Sequence, residues 1–134
     1  MAKRRGKRKT AWDWWSKYVR LKAADGNGMV MCVSCGRQYH WKQMQAGHFI
    51  HGDSLDFVEQ NIHPECVPCN HYKKMESHAG YTEYMYRHYD QKVIDYLKKE
   101  KRVPRKYTDY ELKEIAKRYR IAARAIAKEK GLEI

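Results

Sequence analysis

The strongest constraint on the fold of this chain is a pair of Cys-x-x-Cys motifs. They are Cys32-Val-Ser-Cys35 and Cys66-Val-Pro-Cys69, separated by 30 residues. Each motif brings two thiolates to one tight turn, and two such turns complete a tetrahedral zinc site without any other ligand. Four sulfur ligands leave no position for water, so we predict one structural Zn²⁺ that takes no part in chemistry. Disulfides or a redox-active pair are the alternatives.

The length of 134 residues fits one domain with a helical appendage. A core of this size usually needs an additional constraint, and a structural metal is one. The basic N-terminus lacks an apolar stretch, and no segment is apolar enough for a membrane span. We therefore expect a cytoplasmic protein, in the host cell if the chain is encoded by a phage, where paired cysteines bind metal more often than they form disulfides.

The charge of the chain is uneven. The net charge is +12, and residues 1–9 contain six cationic side chains and no acid. Residues 43–72 contain no Lys or Arg but include Asp53, Asp56, Glu59 and Glu65. This pattern favours a polyanion bound by the flanks and a divalent cation in the middle, although solubility alone could explain the cationic ends. The cations that we assign to DNA binding are Lys3, Arg4, Arg5, Lys7, Arg8, Lys9, Lys73, Lys74, Arg118, Arg120 and Arg124.

Local patterns divide the chain into three parts. Residues 1–9 are predicted to be a disordered basic arm. Residues 10–104 are predicted to form a zinc-containing domain that begins with a Trp-rich helix from Thr10 to about Ala24. Further predictions are a short strand at Met29–Val33, an extended piece at 61–63 ended by Pro64, a helix from Cys69 to about His78, a break at 79–80, and a helix at 92–101. Residues 105–134 are predicted to form a basic amphipathic helix with a capping box at Thr108.

The segment between the cysteine pairs contains groups suited to phosphodiester hydrolysis. His48 is a candidate general base, because a neutral imidazole can take a proton from an attacking water. Asn70 follows the second cysteine pair in the first turn of a predicted helix, and its carbonyl oxygen is a ligand suited to Mg²⁺ or Mn²⁺. Asn61 could accept the Nδ1 proton of His48 and so fix the orientation of the ring. The plain alternatives are a helix cap for Asn70 and a structural polar group for His48.

These residues and their spacing resemble the NinG/Rap recombination proteins of lambdoid phages. The resemblance covers residues 25 to 100 and rests on Cys32–Gly36, Ala46–Ile50, Leu55–Phe57, Asn61–His63, and the run from Cys66 through Asn70 to Lys73. More broadly the chain resembles HNH endonucleases whose last histidine is replaced by asparagine. By this resemblance, His48 matches the general base, Asn61 the central asparagine and Asn70 the terminal ligand of a catalytic metal ion.

The resemblance implies an α+β fold, a zinc-stapled ββα-metal core with several surrounding helices. It also implies a metal-dependent endonuclease that acts on branched recombination intermediates such as Holliday junctions and D-loops. Many HNH enzymes have a metal-binding Asp before the base histidine, whereas this chain has Gly47, as NinG-like proteins do. The second protein ligand of the Mg²⁺ or Mn²⁺ ion therefore stays open among His63, Asp53 and His48 itself.

Two rival functions remain open. A non-catalytic zinc module that binds DNA needs the cysteines and the cations but has no use for His48, Asn61 and Asn70 in one pocket. A nuclease that acts on linear duplex DNA would use the same groups. We expect a homodimer that forms through the C-terminal helix or the Trp-rich helix, since resolving a junction takes two active sites, and the sequence identifies no recombinase partner. The enzyme interpretation requires His48 and Asn70 to come together, and it fails if they point to opposite sides of the molecule.

Overall fold

A computed structural model describes residues 4–72 and 75–134 and has a mixed α and β fold. Two small antiparallel sheets are present, one pairing β1 (Met29–Met31) with β2 (Gln38–His40) and the other pairing β3 (Met44–His48) with β4 (Ile62–Cys66). The helices are α1 (Gly6–Ala23), α2 (Val67–Tyr72), α3 (Met75–His88), α4 (Gln91–Glu100) and α5 (Asp109–Lys130). The predicted α+β class is confirmed at this level. Within the described ranges, no helix is both long and apolar enough to cross a bilayer.

Helix α1 begins at Gly6, four residues before the predicted start at Thr10. Residues 6–9 are therefore helical, and the prediction of a disordered arm is wrong for them. Three contacts hold this first turn. Lys7 donates to Asp109 at the start of α5 (3.1 Å), Arg8 donates to Asp56 (2.9 Å), and Lys9 donates to Asp13 (2.7 Å). Lys3, which we assigned to DNA binding, lies outside the described residues.

Strands β3 and β4 form the sheet that carries the candidate site. Their register pairs Gln45 with Glu65, Gly47 with His63, and His48 with Ile62. Because side chains alternate along a strand, Ala46 and His48 lie on the face that packs against α1, and Gln45 and Gly47 lie on the opposite face. Strand β4 continues through Pro64 to Cys66, so the prediction that Pro64 ends it is wrong. Proline is tolerated in β4 because every strand of a two-stranded sheet is an edge strand.

The segment after β4 also differs from the prediction. In place of one helix from Cys69 to His78 followed by a break at 79–80, α2 ends at Tyr72 and α3 runs from Met75 through Gly80 to His88. Glycine is required at position 80, because a Cβ there would overlap the carbonyl oxygen of Ser34. The close approach places α3 directly against the first cysteine turn. Lys73 and Lys74, two further predicted DNA contacts, lie outside the described residues.

Helix α5 packs along α1, so the boundary predicted at residues 104 and 105 does not separate two packing units. The capping box at Thr108 is confirmed, with Glu111 N donating to Thr108 Oγ1 and Thr108 N donating to Glu111 Oε1 (3.1 Å each). Ala123 and Ala127 are buried in the core cluster that contains Leu21 of α1 and three of the four cysteines, Cys32, Cys66 and Cys69. The apolar stripe of α5 therefore packs within the chain against α1.

Candidate active site and zinc centre

The four cysteines converge as predicted. Their Sγ atoms all lie within 4.8 Å of one another, and Cys35 Sγ lies 3.8 Å from Cys66 Sγ. A tetrahedron with Zn–S bonds of about 2.3 Å has sulfur atoms about 3.8 Å apart, so the cluster fits one zinc ion. Burial raises the pKa of the Cys32 and Cys66 thiols, and binding a dication would release these protons.

The first cysteine turn is attached directly to the sheet that carries the candidate site. Gly36, at φ +77°, donates to the Cys32 carbonyl (2.9 Å) and closes the turn. Val33 N donates to the Pro64 carbonyl of β4 (3.1 Å), and Ser34 Oγ donates to Glu65 Oε2 (2.6 Å). Loss of the zinc site would therefore disturb β4 as well as the turn.

His48, the candidate base, lies at the last position of β3 and is hydrogen-bonded to Asp56. Its Nε2 is 2.7 Å from Asp56 Oδ1, and both side chains are almost fully buried. Burial alone would raise the pKa of Asp56, but the hydrogen bonds from His48 and Arg8 and the charge of Arg4 outweigh it and lower that pKa below 3.8. Asp56 is therefore ionised and accepts the Nε2 proton, so that the lone pair of a neutral His48 ring lies on Nδ1.

Two arginines and a tryptophan of the N-terminal segment complete the surroundings of this pair. Arg4 and Arg8 both reach Asp56 Oδ2, at 3.3 and 2.9 Å. The Trp12 ring stacks on the His48 ring with 5.2 Å between their centroids. The Arg4 guanidinium lies over the Trp12 ring, 3.7 Å from its centroid. We predicted Arg4 and Arg8 as DNA contacts, but the structure commits their guanidinium groups to Asp56. Arg4 and Arg8 fix the Asp56 carboxylate, to which the candidate base His48 is hydrogen-bonded.

Asn61 has a different role from the predicted one. Its Oδ1 accepts from Ile50 N (2.9 Å), and its Nδ2 donates to the Ile50 carbonyl (2.9 Å) and more weakly to Leu55 (3.4 Å). The predicted bond between Asn61 and Nδ1 of His48 is not formed, because the amide of Asn61 is bonded to the backbone of Ile50 and the ring is held through Nε2 by Asp56. The fully buried Asn61 instead closes the loop that follows β3. That loop carries Asp56, so Asn61 acts on His48 only through the loop.

A cavity opens beside His48. It has a volume of about 210 Å³ and is also lined by Phe49, His51, Ser77, His78 and Tyr81. A water molecule occupies about 30 Å³ of liquid, so the cavity has room for a nucleophilic water and more. Its far wall belongs to α3, which packs on the Gly47 face of the sheet, since Tyr81 Oη donates to the Gly47 carbonyl (2.9 Å). The cavity therefore extends around the end of β3 from one face of the sheet toward the other.

Asn70 lies on the face of the sheet opposite to His48. Its Nδ2 donates to Gln45 Oε1 (2.7 Å), and Gln45 is three residues before His48 in β3, with its side chain on the other face. We predicted that His48 and Asn70 come together, but their side chains lie on opposite faces of the sheet. The side chains of His48 and Asn70 are separated by the thickness of the two-stranded sheet, near the end of β3. The two side chains can act on one substrate only across that end of the sheet.

His63 was predicted as a metal ligand, and its surroundings argue against this. Its Nδ1 lies 3.0 Å from Tyr81 Oη and its Nε2 lies 2.9 Å from Tyr89 Oη. Burial lowers the pKa of His63 to about 4, so the ring is neutral and each nitrogen is hydrogen-bonded to a tyrosine. Burial and then the charge of Glu65 raise the pKa of Tyr81 well above its usual range. His63 is a buried structural group and not an available ligand.

The remaining predicted DNA contacts divide into exposed and partly buried cations. Arg5 is exposed near the start of α1. On α5, Arg118 lies over Tyr119 (5.8 Å), Arg124 lies over Trp14 (5.2 Å), and Arg120 is half-buried. Arg5, Arg118 and Arg124 keep their charges at the surface. They remain predicted DNA contacts.

Two residues of this site were not predicted from the sequence. Asp56 was noted only as one acid in a segment without cations, although its place between Leu55 and Phe57 was part of the family resemblance. Glu65 was noted in the same way, and nothing in its spacing indicated that it would be fully buried beside Gly47. The pairing register of β3 with β4, which the sequence did not define, is what brings Glu65 there.

Comparison with known proteins identifies the family. No curated protein and no solved structure matched the chain. The family described as "Bacteriophage Lambda NinG protein" matches residues 2–129, nearly the whole sequence. The match includes both cysteine pairs and all of the segment between them. The chain therefore belongs to the bacteriophage lambda NinG family.

Proposed function

We propose that this protein is a metal-dependent endodeoxyribonuclease of the HNH type, which hydrolyses phosphodiester bonds in branched recombination intermediates such as Holliday junctions and D-loops. The observation that carries the proposal is the buried His48–Asp56 pair at the end of β3, with its 2.7 Å hydrogen bond and its adjoining cavity. A buried imidazole that is oriented by a carboxylate and lines a cavity is suited to act as a general base.

The His48–Asp56 pair defines the proton transfer. Asp56 accepts the Nε2 proton of His48, so Nδ1 takes a proton from a water in the cavity as the water oxygen attacks phosphorus. The P–O3′ bond then breaks and the 3′ oxygen leaves. The imidazolium that forms on His48 is stabilised by the Asp56 carboxylate, which Arg4 and Arg8 keep ionised. The Trp12 ring stacks on one face of the His48 ring and so fixes the orientation of its plane.

The proposed divalent ion would lie on the other face of the same strand end. Asn70 offers a carboxamide oxygen there, which is a hard ligand suited to Mg²⁺ or Mn²⁺. Such an ion would stabilise charge on the phosphate oxygens and on the leaving oxygen. Because residues 47 and 48 are adjacent in β3 and point to opposite faces, a phosphate lying across the strand end can approach both groups.

The proposed substrate follows from family membership and charge. The net charge of +12 and the exposed Arg5, Arg118 and Arg124 favour a polyanionic partner. Resolving a four-way junction requires two cuts, so we propose that a homodimer is the acting form. The apolar stripe of α5 is buried against α1, so it is not the dimer contact. Sedimentation with and without a junction substrate tests this.

Replacing the base tests the proposed activity. His48→Ala should lower the cleavage rate of a Holliday junction in Mg²⁺ or Mn²⁺ by about two to four orders of magnitude while junction binding in EDTA stays within twofold. His88→Ala, on the exposed face of α3, is the matched control and should cleave like the wild type. Equal cleavage by the two variants would refute the role of His48.

The rival function is a zinc module that binds DNA without cutting it, and the separation of His48 and Asn70 onto two faces favours this rival. Branched and linear substrates incubated with Mg²⁺, Mn²⁺ or EDTA distinguish the possibilities. Binding without any product in either metal supports the module. Site-specific products from linear duplex support a nuclease of the restriction or homing type, and products only from branched substrates support our proposal.

A further inference from the structure

A second cavity, of about 470 Å³, opens between the loop that carries Asp56 and the first turns of α5. Ligand pockets in proteins have volumes of about 300 to 1,000 Å³, so this cavity has room for a nucleotide. Three aromatic rings and two arginines contribute to its lining. They are Phe57, Tyr107, Tyr119, Arg105 and Arg118. These five side chains have no part in the proton transfer proposed above, so their arrangement calls for a separate explanation.

The rings and the arginines of this cavity are layered on one another. Phe57 and Tyr107 pack edge to face, with 5.2 Å between their centroids. The Arg105 guanidinium lies over the Tyr107 ring, 4.4 Å from its centroid. The Arg118 guanidinium lies over the Tyr119 ring, 5.8 Å from its centroid. Nucleobases stack both on aromatic rings and on guanidinium planes, and the charge of arginine attracts the neighbouring phosphate.

The cavity is connected to the candidate active site through ring contacts. Phe57 follows Asp56 directly in the chain, and its ring meets Trp12 edge to face with 6.3 Å between centroids. Trp12 in turn stacks on His48. A DNA strand with one phosphate at His48 can therefore reach this cavity with a nucleotide only a few positions away.

The lining of the cavity favours a nucleotide that is not base-paired. A base within a duplex has both faces covered by its neighbours and its edge occupied by its partner, so it enters a cavity only after unstacking and unpairing. An unpaired base does not have this cost. Glu114 also lines the cavity, and its carboxylate can accept a hydrogen bond from a base amino group while it repels phosphate. The phosphate is therefore left to the two arginines.

We propose that this cavity binds one unpaired nucleotide of a branched DNA, with the base against the three aromatic rings and its phosphate at the two arginines. The inference rests on the proposed function and deepens it, because it names the feature by which a branched substrate differs from linear duplex at this site. It assigns the preference for branched DNA to the segment before α5 and to the first turns of that helix.

Binding measured without Mg²⁺ or Mn²⁺ tests the proposal. The two substrates are a duplex with a single-stranded arm and a linear duplex of the same length. Tyr107→Leu keeps an apolar side chain but removes a stacking surface. It should weaken binding of the branched substrate about fivefold or more and leave binding of the linear duplex within twofold. Unchanged binding of the branched substrate, or an equal loss for both substrates, would overturn the proposal.

Tyr110→Leu is the matched control for this variant. Tyr110 lies in the first turn of α5, is 71% exposed and does not line the cavity. Its replacement should leave binding of both substrates like that of the wild type. If Tyr110→Leu reproduces the loss seen with Tyr107→Leu, the effect belongs to exposed tyrosines in general, and the proposal fails.

Crosslinking of the wild-type protein provides a second test that does not depend on how a variant folds. Iodouracil at an unpaired position of the branched substrate, activated by light, forms a covalent bond with an aromatic side chain that it contacts. Mass spectrometry should find the modified base on Phe57, Tyr107 or Tyr119. Crosslinks that form only outside the cavity would overturn the proposal and favour a protein partner for this surface.

The two measurements separate this inference from the proposed function. Binding of branched DNA that depends on Tyr107, in a protein that cuts no DNA with either metal, would refute the nuclease and leave the nucleotide site standing. Metal-dependent cleavage together with unchanged binding of branched DNA by Tyr107→Leu would refute the nucleotide site and leave the nuclease standing.

Discussion

The Asp56 carboxylate determines which nitrogen of His48 would accept a proton in the proposed reaction. In the wild type Asp56 only accepts, so the proton lies on Nε2 and the lone pair on Nδ1. Asp56→Asn can also donate, and a donor at this position stabilises the opposite tautomer. We expect the cleavage rate to fall by about two orders of magnitude or more, because the general base would then be held in the wrong tautomer. Nitrogen chemical shifts of His48 measure the tautomer independently of cleavage.

A matched control for this variant is Asp53→Asn, since Asp53 lies in the same loop and is exposed. It should change neither the His48 tautomer nor the cleavage rate. If Asp56→Asn keeps the proton on Nε2 and still loses activity, Asp56 has a role other than orienting the base, and our account of it is wrong.

The buried His63 gives the protein an acid-sensitive site. Its pKa is about 4 in the folded state against 6.5 when exposed, so only the unfolded chain gains this proton as the pH falls from 6.5 to 4. The free energy of unfolding should therefore fall over this window, by up to about 3 kcal/mol at 1.4 kcal/mol for each pKa unit. Urea unfolding at pH 7, 5.5 and 4 measures the loss. His63→Gln lacks this proton and should show a smaller loss; an equal loss would assign the effect to other groups.

At the scale of secondary structure, the sequence was most informative where a short local signal determines the conformation. The capping box at Thr108 and the two cysteine turns are such signals, and they are confirmed. The long-range contacts were not predictable. Residues 6–9 are helical because Lys7 and Arg8 form hydrogen bonds with Asp109 and Asp56, which lie more than 40 residues away in the sequence. Gly80, which suggests a helix break locally, is accommodated in α3 because it packs against the Ser34 carbonyl. The pairing register of the strands also depends on long-range contacts, so it could not be predicted. The same holds for the partner of His48, which is Asp56 and not the predicted Asn61.

Lys130, near the end of α5, stabilises the end of another helix. Its Nζ donates to the carbonyls of Leu21, Lys22 and Ala24 at 2.9, 3.0 and 2.6 Å, where α1 ends and its last carbonyls lack helical partners. A cation at this end also interacts favourably with the helix dipole. Lys130→Met should lower the free energy of unfolding by about 1.5 to 3 kcal/mol.

Lys128→Met is the matched control, because Lys128 is exposed two residues away on the same helix. It removes the same charge without these three hydrogen bonds, so its unfolding midpoint in urea should stay near that of the wild type. Equal effects of the two variants would indicate a general charge effect and not a specific cap.

At the scale of the whole molecule, the four cysteines that could hold one zinc ion join the elements that carry the candidate site. Cys32, Cys66 and Cys69 are part of the core that contains Leu21, Trp41 and Ala123, and the first cysteine turn is bonded to β4 through Val33 and Ser34. Structural zinc contributes about 10 to 16 kcal/mol in small zinc peptides, comparable to the net stability of a domain. Cys66→Ser, or prolonged chelation, should therefore abolish cooperative unfolding and the near-ultraviolet circular dichroism of the tryptophans. Elemental analysis should find one zinc per wild-type chain, and a zinc-free protein that stays folded would contradict this account.

The arrangement of cations over the molecule leads to a last prediction about DNA binding. Arg8 is bound to a buried carboxylate, whereas Arg124 is exposed on α5 beside Trp14. Each phosphate contact contributes about −0.9 to the slope of log K against log salt. Arg124→Gln should therefore make this slope less negative by about that amount and leave metal-dependent cleavage of saturated complexes unchanged. Arg8→Gln should leave the slope unchanged and reduce cleavage, because it loosens Asp56 and with it His48. The reverse pattern would mean that the N-terminal turn of α1 binds the backbone of the DNA and that the contacts of Arg8 with Asp56 are replaced when DNA binds.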